Sequence, residues 1–278
     1  LYLTDVDTGG IFSLDLRTGR RDPILDTAPW KPSGFGFDSA NRSVFVLDDA
    51  GDQLLSVRLT GEVSLVSNDD SPLLGSSTGY GFIRGQVALE PDGESVLVTD
   101  SARLAIHRID LATGARDFLV RTGELNGVES VVVDATGNRA IVSTGSLTDD
   151  GVRDAVVAFD LVSGERSVLA NGSSTAFPVG SGVDLRFPVS LAVDVPNNAV
   201  LVFDGDLDAI VSIDLASLER RVLVDASTGN GDHLSRAFNR DNAFALDDED
   251  RLVYAVNEEV GEVVMLDLVS GDQAVIAR

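Results

Sequence analysis

The chain contains no cysteine, which excludes disulfides, thiolate nucleophiles and cysteine-ligated metals and leaves either redox compartment open. Lysine is nearly absent: Lys31 is the only one, and the remaining positive charge is arginine. Against 21 basic residues stand 45 acidic ones, a net charge of −24. So acidic a surface argues against non-specific nucleic-acid binding and docking on anionic lipid. No apolar run approaches the roughly 18 residues of a membrane helix, so no membrane insertion is expected. No stretch carries the period of an amphipathic helix, and no Ser-His-Asp arrangement, zinc motif or phosphate loop can be read.

What the sequence does have is a repeat. From Gln86 to Val120 it reads as four short strands joined by tight turns, and weaker copies recur along almost the whole chain. Copy two starts at Gly34, copy four at Ser130, copy five at Ser190 and copy six at Ala243. Copy one is incomplete: Leu1–Thr4, Ile11–Leu16 and Asp22–Leu25 supply a second, third and fourth strand with no first. Acidic residues at the end of the first strands, Asp38, Glu90, Asp134, Asp194 and Asp247, follow one another at 44 to 60 residues, the period of propeller blades rather than of helical repeats. Asp110-Leu111-Ala112-Thr113-Gly114 marks a hairpin whose glycine supplies the positive φ of the turn. Its relatives are Asp15–Gly19, Asp160–Gly164 and Asp267–Gly271, while Asp214–Leu218 has lost the glycine.

A four-stranded sheet cannot bury both faces alone, and copies of it stack radially. The expected fold is therefore all-β, a six-bladed β-propeller of four-stranded antiparallel blades whose first blade lacks its inner strand. We expect one domain over residues 1–278, with blades near 1–29, 30–79, 80–125, 126–185, 186–238 and 239–278. The missing strand lies upstream of Leu1 or the two ends pair differently, and a seventh blade upstream is the alternative count.

The pattern Leu191-Ala192-Val193-Asp194, then Val200-Leu201-Val202-Phe203-Asp204, then Ile210-Val211-Ser212-Ile213-Asp214-Leu215 resembles the six-bladed propeller superfamily that contains NHL-repeat proteins, TolB-like propellers and the gluconolactonase/regucalcin enzymes. The resemblance covers essentially the whole chain and is specific to fold rather than activity. It implies an extracytoplasmic location, periplasmic or secreted. Gluconolactonases hold one divalent cation in the channel with Glu, Asn and Asp side chains just before the inner strands. The comparable positions here are Ser33, Gly85, Glu129, Val189 and Asn242. Of these only Glu129 and Asn242 suit a Ca²⁺ ion in the central channel, with Asn126 and Asp241 nearby. A full Ca²⁺ site wants six to eight oxygens, so the departure counts against that family's metal-dependent hydrolysis.

Propeller geometry sorts the loops. Turns from first to second and from third to fourth strand share one face; turns from second to third strand and the blade-to-blade loops share the other. The long, varied connections Asn68–Gly85, Ala170–Pro188 and Asp225–Asn242 all belong to the second group, which makes that face the binding face. These loops carry arginine shortly before the next inner strand: Arg84, Arg186, and Arg236 with Arg240. A guanidinium cluster suits a carboxylate or phosphate; the alternative is that each arginine pairs with a loop aspartate and pins its loop. Trp30 and Lys31, before copy two, offer a stacking platform and a cation, or a lid on the core between blades.

Of the two histidines, His107 falls inside a third strand and reads as a sheet-face residue, whereas His233 lies in an arginine-bearing loop as a candidate general base. With Tyr80 as acid and Glu129 as a further candidate, a His/Tyr/Arg polysaccharide lyase can be drawn. A column of acids ends the second strands, Asp5, Asp48, Asp100 and Asp204, where side-chain-to-backbone bonding of the turn is the expected role. Two classes of function stay open. One is a propeller that binds a small anionic ligand, a glycan or a protein segment on its loop face. The other is a channel-centred enzyme, either a metal-dependent lactonase-like hydrolase or the lyase.

Overall fold

The computed structural model describes residues 1–73, 85–121, 123–147, 151–172, 179–225, 227–231, 244–257 and 261–277. Among the described residues it is all-β apart from one 3-10 turn at Val195–Asn197. The first sheet has three strands, β1 (Tyr2–Thr4), β2 (Ile11–Leu14) and β3 (Arg21–Leu25). The second takes β4 (Pro32–Asp38), β5 (Ser43–Asp48), β6 (Gln53–Arg58) and β7 (Val63–Ser67). The third takes β8 (Val87–Leu89), β9 (Ser95–Asp100), β10 (Ala105–Asp110) and β11 (Arg116–Val120). The fourth is β12 (Leu125–Asp134), β13 (Arg139–Leu147), β14 (Arg153–Asp160) and β15 (Arg166–Ala170). In the fifth, a two-residue strand β16 (Ser181–Gly182) precedes β17 (Pro188–Asp194), β18 (Ala199–Asp204), β19 (Ala209–Asp214) and β20 (Glu219–Asp225). The sixth is β21 (Phe244–Asp247), β22 (Leu252–Asn257), β23 (Glu262–Asp267) and β24 (Gln273–Ala277). Two compact units divide the chain, Leu1–Asn138 and Arg139–Arg278.

In the second, third and fifth sheets the second strand of the blade is the most buried. All six positions are buried in β5 (SVFVLD), β9 (SVLVTD) and β18 (AVLVFD), which is why these segments read as continuous apolar runs rather than alternating ones. Hairpins close each blade locally. The Oδ1 atoms of Asp15, Asp110, Asp160, Asp214 and Asp267 each accept the N–H groups two and three residues on. The residue four on donates its N–H to the aspartate carbonyl with φ between 60° and 78°. Leu218 does this as the glycines do, at φ 60°, so losing the glycine left the turn type unchanged.

Three features depart from the expected boundaries. Strand β12 begins at Leu125, five residues before Ser130, because Leu125 and Val128 are buried on either side of a kink at Gly127 (φ 79°). The connection from 170 to 188 is not wholly loop, since Ser181 and Gly182 pair in parallel with Glu219 and Arg220. In all six sheets the last two strands of the blade slip register by a bulge at one equivalent place: Ile11/Phe12, Leu54/Leu55, Ile106/His107, Val156/Val157, Ile210/Val211 and Val263/Val264. A bulge there bends the strand and adds right-handed twist.

Candidate functional site

The lead-in segments to the second and fifth blades are built alike. Pro32 lies opposite Asp48 and Pro188 opposite Asp204, each followed by a bulge, where a residue without an N–H fits. Asp48 is buried, and its Oδ1 accepts the N–H of Lys31 at 2.8 Å and of Ala50 at 3.0 Å, while Oδ2 accepts Gln53 Nε2 at 2.9 Å. Asp204 is fully buried and accepts the N–H groups of Arg186 (2.7 Å), Phe187 (3.0 Å) and Leu207 (3.1 Å). Burial pushes the Asp204 carboxyl above its usual range, against the pull of those three donors. One more bond closes each arrangement, Asp49 N–H to Lys31 O at 3.0 Å and Gly205 N–H to Phe187 O at 2.8 Å.

Trp30-Lys31-Pro32 and Arg186-Phe187-Pro188 thus occupy equivalent positions, each with one aromatic and one cation before the proline. Lys31 and Arg186 are exposed, and Trp30 and Phe187 are half-buried. The Trp30 ring packs on the core cluster of Ile11, Val44, Val46 and Val57, and its Nε1 donates to Gly9 O at 2.6 Å. Phe187 packs on the cluster that contains Val189 and Phe203. The backbone is fixed by a buried carboxylate, the aromatic by the core, and the cation is left at the surface.

The second strands' terminal acids act as turn acceptors. Asp5 Oδ1 takes the N–H groups of Asp7 and Thr8 at 2.9 and 3.0 Å. Asp100 takes the Arg103 N–H at 2.9 Å and its guanidinium at 3.1 Å. His107 is fully buried on β10, with Nε2 3.4 Å from Asp100 Oδ2 and its ring 4.7 Å from that of Phe118. Glu129 is half-buried in the middle of β12, and Asn126 is exposed near its start. Arg84, Tyr80, His233, Arg236, Arg240, Asp241 and Asn242 lie outside the described residues. Among the described residues no group of three or more His, Asp or Glu side chains is placed to hold a metal ion.

Two buried arginines were not anticipated. Arg116 is fully buried; its Nε donates to Ser67 Oγ at 2.7 Å, Ser67 Oγ donates to Gly114 O at 2.8 Å, and its N–H reaches Pro72 O at 2.9 Å. Arg220, 6% exposed, donates from its guanidinium to the carbonyls of Val179 and Val183 and lies 3.6 Å from Asp184. Burial lowers its pKa, partly offset by Asp184. Both follow a glycine or its positive-φ substitute by two residues, which is the only sequence signal for them. They hold the segments that run in from the preceding blade. The second unit also holds a group of acids: burial first, then the charges of Asp204 and Asp206, pushes the half-buried Asp154 carboxyl up.

No protein-family model matches the chain, and no curated protein sequence matches it. Solved structures do. A chain of a crystal structure of a nidogen/laminin complex aligns over 98% of this chain and 90% of its own length, with TM-score 0.72 and 19% identity. This is a six-bladed β-propeller. TolB from Acinetobacter baumannii aligns over 98% of this propeller with TM-score 0.68 and 12% identity, and the propeller covers 61% of that chain. At these identities the likeness is one of fold. No described helix of the propeller is long and apolar enough to cross a membrane.

Proposed function

We propose that the protein is a binding propeller whose lead-in segments recognise a carboxylate-bearing protein segment. The observation that carries this is the repeated device before Pro32 and Pro188: a buried aspartate fixes the backbone, and an exposed cation stands beside a core-anchored aromatic. In a chain of net charge −24 with a single lysine, an exposed cation on each of two pinned segments, one residue before the proline at Lys31 and two before it at Arg186, suits an anionic group. A structural neighbour that belongs to a nidogen/laminin complex supports a protein as the carrier of that group. An extracytoplasmic setting, periplasmic or secreted, goes with this reading on the strength of the family resemblance, and fractionation of the producing cells tests it.

Calorimetric titration with a capped Glu-containing hexapeptide, trigalacturonate and succinate separates protein segment, glycan and small molecule. The hexapeptide is expected to bind at each segment, and Lys31→Ser or Arg186→Ser to weaken binding at its own segment about five-fold, since an exposed ion pair is worth up to about 1 kcal/mol. Silence with all three probes, or variants that titrate like the parent, defeats the proposal.

A further inference from the structure

In three blades the segment arriving from the preceding blade covers the edge of the outer strand. Leu73 bridges Arg116 of β11 in parallel, and Pro72 O accepts the Arg116 N–H at 2.9 Å. Ser181 and Gly182 pair in parallel with Glu219 and Arg220 of β20, and Asn230 O accepts the N–H of Gln273, at the start of β24, at 2.8 Å. The connections that do this are long, residues 68–86, 171–187 and 226–243. The connection into the second blade is residues 26–31 only. Crossing from an outer strand to the next inner strand takes about three strand spacings, roughly 15 Å, of the roughly 20 Å that such a segment can span. Nothing is left to run along the edge of β7.

Val63 of β7 is the counterpart of Arg116, Arg220 and Gln273: each lies opposite the last apolar residue of its third strand, Val57, Ile109, Ile213 and Leu266. Arg58 N–H donates to Glu62 O at 2.8 Å, so alternation turns the backbone groups of Glu62 and Ser64 to β6 and those of Val63 and Leu65 outward. Among the described residues no backbone group meets them. Their side chains are open too, 40% and 53% exposed, although Val57 and Leu55 opposite them are buried. The remaining two outer strands are blunted by sequence. Strand β3 has Pro23 at the place of Leu65, opposite Phe12, and β15 starts with Arg166. From Val63 to Ser67, β7 has neither proline nor charge, and an edge of that kind is a template for another strand.

We propose that the β7 edge binds an extended segment of a partner protein, parallel to β7, uncharged in its middle and basic at both ends. The orientation follows the chain's own covering segments. The charge follows the flanks. Glu62 stands before β7, exposed and loosely paired at 3.4 Å with the exposed Arg58, and the exposed Asp69 and Asp70 stand after it. A second copy would bring such acids against its own, in a chain of net charge −24. This edge is separate from the Lys31 and Arg186 segments, which take an acidic ligand, and either reading can fail without the other.

The probe is the capped peptide KVTVTVK, with KVTPTVK as a control of equal charge whose proline breaks the ladder. KVTVTVK is expected to slow hydrogen exchange at the Val63 and Leu65 amides at least about ten-fold, and to leave Ser64, which faces β6, unchanged. Leu65→Pro copies Pro23, takes no bond from β6 and abolishes the effect; Leu65→Thr, which keeps the outward N–H, retains it. Val63→Arg weakens peptide binding several-fold by setting a cation beside the basic end. Trp30 fluorescence and the melting temperature show whether each variant is folded, and if Leu65→Pro is not, the two peptides decide. Unchanged exchange at the highest soluble peptide concentration overturns the proposal, as does equal binding of KVTPTVK or equal binding by folded Leu65→Pro. A dimer seen by sedimentation without peptide and dissolved by Leu65→Pro also overturns it, by making the occupant a second copy.

Discussion

Replacing Arg220 with methionine tests whether buried arginines, rather than surface charge pairs, hold the blade-to-blade segments. Arg220 is 6% exposed and its guanidinium serves two backbone carbonyls, Val179 and Val183. Hydrogen bonds from a charged donor contribute about 1.5–3 kcal/mol each, so the two set an upper figure near 6 kcal/mol. Part is offset: the variant no longer buries a guanidinium, whose lowered pKa records that cost, and the Asp184 contact adds little because Asp184 is 59% exposed. A net loss of about 2–3 kcal/mol remains, which for a domain of this size lowers the melting temperature by roughly 5–10 °C. Arg221 is the internal control. It is 70% exposed and bonds Glu219 at 2.8 Å on the surface, so Arg221→Met should fall within about 0.5 kcal/mol of the parent. Arg220→Lys keeps the charge but not the fork, and should lie between. Thermal and urea unfolding followed by Trp30 fluorescence measures all three. Equal shifts for Arg220→Met and Arg221→Met would refute the reasoning.

Other parts of the account are open to similar tests. Gly114→Ala places a Cβ 2.3 Å from Val66 O at a φ of 69°, and should cost about 2–4 kcal/mol in urea unfolding, whereas Gly93→Ala, with φ 71° and open space, should cost about 1. Asp48→Ala takes the acceptor from the part-buried N–H groups of Lys31 and Ala50; a loss of about 1–3 kcal/mol is expected, with faster hydrogen exchange at Lys31. Asp154→Asn removes a charge whose folded pKa is raised, so it should stabilise at pH 7 by a few tenths of a kcal/mol after solvent screening, and the gain should vanish as pH falls through the folded pKa to the usual carboxylate value near 4. The turn aspartates Asp15, Asp110, Asp160, Asp214 and Asp267 have the opposite sign. Hydroxyl and backbone donors hold their pKa down, so the stability they add is present above the usual carboxylate value and is lost as acid titration proceeds below about pH 4.

The features legible in the sequence are those decided locally. The Asp-x-x-x-Gly turn is a side-chain-to-backbone arrangement within five residues, and it forms as expected at Asp15, Asp110, Asp160 and Asp267. At Leu218 the turn persists without its glycine, because the strands on either side impose the φ. The second strands were legible because burial on both faces writes a continuous apolar run. The bulges were not: a register slip between the last two strands answers to the twist of the whole blade and carries no residue signature. Leu125–Val128 was missed because Gly123 and Gly127 interrupt the alternation, and β16 because its partner lies almost forty residues on. Trp30, Lys31 and Arg186 were legible as residues, but the buried aspartate behind each lead-in segment was visible only as a member of a column. Arg116 and Arg220 read as surface charge until the preceding segments fold over them.

The claim that the lead-in segments bind is tested most directly by mapping amide chemical shifts while the Glu-containing hexapeptide is titrated in. The account predicts that the largest shifts fall at Trp30–Lys31 and Arg186–Phe187, and that each set is lost in the variant lacking its own cation. Shifts that fall elsewhere, on the opposite turns at Pro91–Gly93 or Asp248–Asp250 for example, would contradict it.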